Sequence, residues 1–254
     1  MGAFRLASRP GSAVPGSAAP QCGEDEERRS GERRSQEHSQ GRSPGWYSRG
    51  YLPHFDSAEV IQHITYRLAD ALPEAVLERM QAEVRAAVPD EDKRESELRQ
   101  QIEDYLDSGH GSCVLREPEV AACVVDTWHH FDGDRYRLLE WVVMPNHCHV
   151  LIEPLEGAAL GKIVLSWKNF TARFINDYTR RTGVRRSQAR SQARSQGSQV
   201  WQRDYWDRFI RDEHHFAAAR HYIVMNPVKA RLVAAPGDWP WSSAGERGWS
   251  DAKG

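Results

Sequence analysis

Four cysteines in 254 residues form neither a Cys-x-x-Cys pair nor a zinc-finger spacing: Cys22, Cys113, Cys123 and Cys148 stand alone. They read as reduced thiols of a cytoplasmic protein. No apolar run approaches the ~18 residues of a membrane span. The first twenty residues, rich in Gly, Ala, Pro and Ser, lack the continuous apolar core of a secretory signal. Large apolar residues are nearly missing from residues 1–44, which are Gly/Ser/Pro-rich and then highly charged. Such a segment buries too little surface to offset its ordering entropy, so a disordered tail is expected there. Net charge is almost absent as well, at −2 overall, but the balance conceals two opposed halves. Residues 70–119 carry 14 acidic and 6 basic side chains, a net of −8, and residues 160–231 carry 15 basic and 5 acidic, a net of +10. A basic half points either to a polyanion such as nucleic acid or to a solvated helical face.

The folded part is expected over residues 45–244, followed by a short tail at 245–254. It is interrupted by a flexible basic insertion at 183–199, where Arg185–Gln199 repeats Arg-Ser-Gln-Ala. Val60–Leu68 alternates as a strand does, and Pro73 suits the start of a helix over Glu74–Ala87. A charged helix over Glu91–Leu106 and an apolar-striped one over Pro118–His130 follow. Tyr136–Met144 and His147–Glu153 form two strands turning at Pro145-Asn146. Ala158–Thr179 is a long amphipathic helix, Trp201–Ile210 is strand-like, and Asp212 caps a helix running to about Met225. Without the helical insertions the order is β-α-β-β-α-β plus a final helix. That order predicts an α+β fold, a ferredoxin-like antiparallel sheet with helices on one face.

Two places carry candidate chemistry. His147 and His149 lie two apart on a predicted strand, so both imidazoles emerge on one face. Such a pair can grip a divalent metal with positions left open, or can be two hydrogen-bonded histidines of a sheet. Tyr222 and Asn226 are four apart and share one helical face. An Asn oxygen can ligate a hard cation, and a tyrosine beside a metal-bound phosphate can act as nucleophile. Equally, Tyr222 could be a packing residue, and Pro227 makes Asn226 a candidate helix end and cap.

Six blocks in order extend these two places: Arg49–Asp56, Ile64–Leu68, Val143–His149, Trp206–Asp212, Tyr222–Lys229 and Asp238–Ser243. In them the sequence resembles the IS200-like single-tyrosine transposases, in the branch associated with repetitive extragenic palindromes (REP), over roughly residues 46–243. The resemblance implies the HUH nuclease fold and a metal-dependent enzyme that cuts and rejoins single-stranded or hairpin DNA through a 5′-phosphotyrosine. It assigns Tyr222 as nucleophile, His147, His149 and Asn226 as ligands of Mg2+ or Mn2+, and Arg49 and Gly50 as DNA contacts. Cys148 holds a middle position usually taken by a larger apolar residue, and Arg231 stands where relatives commonly carry Gly. Lys162, Lys168 and Arg173 on the long helix, with Lys229 beside the site, are candidates to track a phosphate backbone. Trp167 and Tyr178 could be stacking platforms or core residues. Related replication-initiator nickases and inactive DNA-binding relatives are the competing readings. No membrane partner is expected, and a monomer is favoured over a homodimer.

Overall fold

The computed structural model describes residues 45–48, 53–56, 60–184 and 199–247. The expected tail at 1–44, the core of the basic insertion, and Arg49 and Gly50 lie outside the described residues. Two short strands, β1 (Gly45–Ser48) and β2 (Pro53–Asp56), pair antiparallel as a separate ribbon. The main elements then run β3 (Gln62–Arg67), α1 (Glu74–Ala87), α2 (Glu91–Asp107), α3 (Pro118–His130), β4 (Tyr136–Val143), β5 (His147–Pro154), α4 (Leu160–Thr182), β6 (Trp206–Phe209), α5 (Glu213–Lys229) and α6 (Ser243–Arg247). The four strands after the ribbon form one sheet in the order β4-β5-β3-β6, with every pair antiparallel. This is the predicted α+β arrangement, with β3 and β5 in the middle.

The two helices of the split pattern, α3 and α4, share one face as expected, and the final helix α5 covers the other. Alternate residues of a strand project to opposite sides, and here both sides are covered. Ile64 and Tyr66 of β3, with Cys148, Val150 and Ile152 of β5, pack with Val120, Val124, Trp128, Ile163, Val164 and Trp167 of α3 and α4. On the other face Val142, Met144 and Leu151 pack with Ala219 and Ile223 of α5. The last helix therefore lies across the sheet from the other two, on the face that carries His147 and His149. Strand β6 is also shorter at its start than expected. Trp201 contributes only a single bridge to Leu68 and is buried in the core, and the ladder begins at Trp206.

Local signals explain several boundaries. Pro118 opens α3, where its missing N–H is no loss, and the Asp212 carboxylate accepts from the His215 amide at 2.7 Å to cap α5. Gly183 ends α4 at φ 70°. The β4–β5 turn is fastened from outside: the Asn146 amide donates to the carbonyls of Leu106 (3.0 Å) and His110 (2.8 Å), which docks the end of α2 beside His147. The Asp238–Ser243 block closes the fold along β4. Val143 donates its amide to Trp241 at 2.8 Å, and the buried Glu140 accepts from Ser243 Oγ at 2.7 Å and pairs with Arg220 of α5 at 3.0 Å.

The expectation that α5 stops near Met225, with Asn226 at its end, is overturned: the helix passes through Pro227 to Lys229. A proline there removes one hydrogen bond, but the following carbonyls are gathered by a closing motif. Leu232 donates to Pro227 O and Arg231 to Val228 O, each at 2.9 Å, a Schellman pair. The motif needs a left-handed residue, and Arg231 supplies it at φ 57°. A left-handed non-glycine residue costs about 1–2 kcal/mol, against the 0.5–1 kcal/mol of extra chain entropy that glycine adds to the unfolded state. The strain relief is the larger effect. Arg231→Gly is therefore expected to stabilise the protein by about 0.5–1 kcal/mol in urea unfolding; a loss of stability would contradict the assigned turn.

Candidate active site

Period two on β5 and register with β3 assemble the site. Thr65 faces His149 across the ladder, Arg67 faces His147 and His63 faces Leu151, all on the side covered by α5. His147 and His149 are 1% and 0% exposed, and their rings stand 4.8 Å apart and nearly perpendicular. Each is held from behind through Nδ1. Asn146 spends its amide hydrogens on two carbonyls, so its Oδ1 accepts, at 2.7 Å, and His147 Nδ1 must donate. That fixes the tautomer and leaves Nε2 of His147 as a bare lone pair, 3.8 Å from Asp107 Oδ1. His149 Nδ1 meets Thr65 Oγ1 at 2.8 Å, and its Nε2 is buried with no hydrogen-bond partner. Burial holds both imidazoles neutral: it is the main cause that lowers His147 to about 3 and His149 well below the usual range. Neutral imidazole is the ligand form.

Tyr222 projects from α5 with its ring 5.2 Å from that of His149 and at 89° to it. Its hydroxyl is buried and makes no well-aligned hydrogen bond. Burial, and then the charges of Glu103 and Asp107 on α2, push its pKa far above the usual phenol range. One turn on, Asn226 is 1% exposed and neither atom of its amide has a partner. A buried carboxamide without hydrogen bonds costs on the order of 1–3 kcal/mol per group, so an orphaned amide one helical turn from Tyr222 needs an explanation. Among the described residues no three His, Cys, Asp or Glu side chains converge closely enough to hold an ion. The two imidazoles would therefore need a donor of another kind, and Asn226 Oδ1 is a suitable oxygen.

Residues 128–226 match the family model described as transposase IS200 like. A Haemophilus influenzae protein named "Putative REP-associated tyrosine transposase" is 31% identical over 102 residues, covering 40% of this chain and 54% of that protein. The REP-associated tyrosine transposase of Escherichia coli K12 is 26% identical over 108 residues, covering 42% and 54%. The chain thus spans about half the length of these curated relatives. A solved REP-associated tyrosine transposase bound to a REP hairpin is similar over 78% of this chain and 81% of its own, at 18% identity and a TM-score of 0.40. No described helix is long and apolar enough to cross a membrane.

His147 adjoins His149 and Tyr222 reaches His149, with Asn226 one helical turn further on, whereas the candidate phosphate contacts separate. Lys168 is corrected: it is 8% exposed, and its Nζ donates to the carbonyls of Arg203 (3.0 Å) and Asp204 (3.4 Å), so it braces the chain instead of meeting a phosphate. Lys162 and Arg173 are exposed, but α4 lies behind the sheet, which stands between them and Tyr222. Trp167 is fully buried, donating to Tyr136 Oη at 3.0 Å, and Tyr178 is buried with its hydroxyl on Glu117; neither is a stacking platform. Of the proposed lysines only Lys229 is at the site, its Nζ 3.0 Å from Asp104 and 3.1 Å from Asp107. Sequence reasoning missed His63, Thr65, Asn146 and the α2 carboxylates. Thr65 and His63 had a usable signal, because period two on β3 puts both on one face. The role of α2 had none, since it is made by docking.

Proposed function

We propose that the chain is a metal-dependent single-stranded DNA endonuclease and strand transferase that acts through a 5′-phosphotyrosine on Tyr222. Its substrate would be hairpin-bearing palindromic repeat DNA. One observation supports this above others: the Tyr222 ring stands 5.2 Å from that of His149, whose Nε2 is buried without a hydrogen-bond partner, and the unpartnered Asn226 amide follows one helical turn later. His147, His149 and Asn226 would hold Mg2+ or Mn2+, which supplies Lewis-acid polarisation of the scissile phosphate when bound. Tyr222 Oη attacks phosphorus and loses its proton to solvent, while the bond to the 3′ oxygen breaks and that oxygen takes a proton from solvent. The products are a phosphotyrosine on one strand end and a 3′-hydroxyl on the other. Attack of a 3′-hydroxyl on the phosphotyrosine reverses the step, so rejoining needs no nucleotide cofactor. Burial and the nearby carboxylates keep the Tyr222 phenol protonated, and a cation held beside it would favour loss of that proton.

The test is to incubate the protein with hairpin DNA bearing single-stranded flanks and Mg2+ or Mn2+, then run a denaturing gel. A covalent protein–DNA band that requires metal is expected, and its absence with folded protein would overturn the reading. Affinity for such DNA should also exceed that for plain duplex and fall with salt. For ~3 phosphate contacts the loss between 50 and 200 mM salt is roughly 20-fold. Equal affinity for duplex, or insensitivity to salt, would contradict single-strand binding.

A further inference from the structure

Beside Tyr222 lies a cavity of about 610 Å3 that the chemistry above leaves unused. Its floor is the sheet: His63 pairs with Arg208 and Thr65 with Trp206 across β3 and β6, so all four project to the face that carries His149. One wall is α2, with Glu95, Arg99 and Glu103, and the other is α5, with His215, Ala219 and Tyr222. Arg211 stands at the mouth.

Three guanidiniums are gathered here. Arg208 is exposed, and its pKa is lowered first by partial burial and then by the charges of Arg99 and Arg211. The same crowding reaches the floor, where burial and then Arg99 and Arg208 lower His63 to about 4. Among the described ion pairs of the three, Arg99 meets Glu95 at 3.0 Å, and Glu95 and Glu103, which also line the cavity, offset part of the crowding at Arg208. Like charges brought together beside a cleft favour an anion. The volume exceeds that of one nucleotide and lies within the range of small-ligand sites. A His63 Nε2 without a hydrogen-bond partner faces this space from a buried position. The cavity also carries an aromatic edge in Trp206 and Phe209.

We propose that this cavity binds the nucleotide next to the scissile phosphate, with that nucleotide's own phosphate held by Arg99, Arg208 and Arg211 and its base beside Trp206. The proposal rests on the reading of Tyr222 as nucleophile, which places the scissile phosphate at the cavity's inner end. It assigns to α2, outside the family match at residues 128–226, a share in gripping DNA. The strand crosses the site in one of two directions, so the flanking nucleotide is either upstream or downstream of the cut.

The test uses the full chain and a hairpin oligonucleotide with single-stranded flanks, carrying one uncharged methylphosphonate at each position on either side of the cut. Binding is read by fluorescence anisotropy with and without Mg2+, so the readout does not require cleavage. The Arg99→Gln/Arg208→Gln variant alters one half-buried and one exposed side chain, keeps both stems, and should melt as the wild type does. It is expected to bind the all-phosphate oligonucleotide about tenfold more weakly, as for charge-assisted hydrogen bonds at a partly exposed site. One methylphosphonate should cost the wild type the same factor and cost the variant nothing, and its position names the upstream or downstream nucleotide. A variant that loses the same factor with every oligonucleotide, or that binds as tightly as the wild type, would overturn the proposal. A covalent adduct in the wild type alongside either of those results leaves the nucleophile standing and removes only the cavity. No adduct at all, with the methylphosphonate coupling intact, does the reverse.

Discussion

Tyr222→Phe is expected to bind hairpin DNA with wild-type affinity and to form no covalent adduct, a loss of at least ~1,000-fold in adduct formation. The substitution deletes one oxygen and keeps the ring that stands 5.2 Å from His149. Because the Tyr222 hydroxyl is buried without a hydrogen-bond partner, its removal should leave stability unchanged or slightly raised, by ~0–1 kcal/mol. Affinity survives because backbone charge contacts dominate it, whereas no other group can replace a missing nucleophile. Tyr205 and Tyr178 are the nearest competitors by sequence, yet both are buried in the core cluster that includes α3 and α4, behind the sheet. Mapping the phosphotyrosine to either of them would sink the assignment even with the enzyme class intact.

His149→Ala should abolish divalent-dependent adduct formation, again by at least ~1,000-fold, and weaken Mn2+ binding by at least ~100-fold in an electron paramagnetic resonance titration. His149 and His147 are unequal in what lies behind them. His147 is fixed by an amide whose own hydrogens are committed to Leu106 and His110, and its Nε2 has Asp107 in front. His149 leans on a single hydroxyl and presents an Nε2 with no partner. The folded protein should tolerate the change, because a cavity-forming truncation on the sheet face costs a few kcal/mol and leaves the opposite core untouched. Unchanged Mn2+ affinity in folded variant would remove His149 from the ligand set.

Much of this was legible before any coordinates. His-x-His reads directly as a shared face because a strand has period two, and Tyr222 with Asn226 because a helix brings i and i+4 together. The covering of both sheet faces was not legible, since strand patterns reveal which residues are apolar and not which helix meets them. The case of α5 shows why: its buried residues Ala219, Ile223, Val224, Asn226 and Pro227 do not form one clean apolar stripe. Lys168 was misread for the opposite reason. It falls in step with Leu160, Val164, Thr171 and Ile175, all buried on α4, so its position on the stripe outweighed its charge. The end of α5 was misplaced because proline is a local signal against helix, while its tolerance depends on the closure formed by residues up to Leu232.

Pro227 also bears on how strongly an ion could be held. Final helical turns normally fray, and a ligand carried there must be ordered at the moment of binding, at a cost in affinity. The pyrrolidine ring fixes one backbone dihedral immediately after Asn226, and Ala230 donates to the Asn226 carbonyl at 2.9 Å to close the turn on the other side. Backbone disorder at the proposed third donor is thus removed during folding, by a covalent ring as much as by hydrogen bonds. An arriving cation would then meet a carboxamide whose main-chain ordering entropy has already been lost.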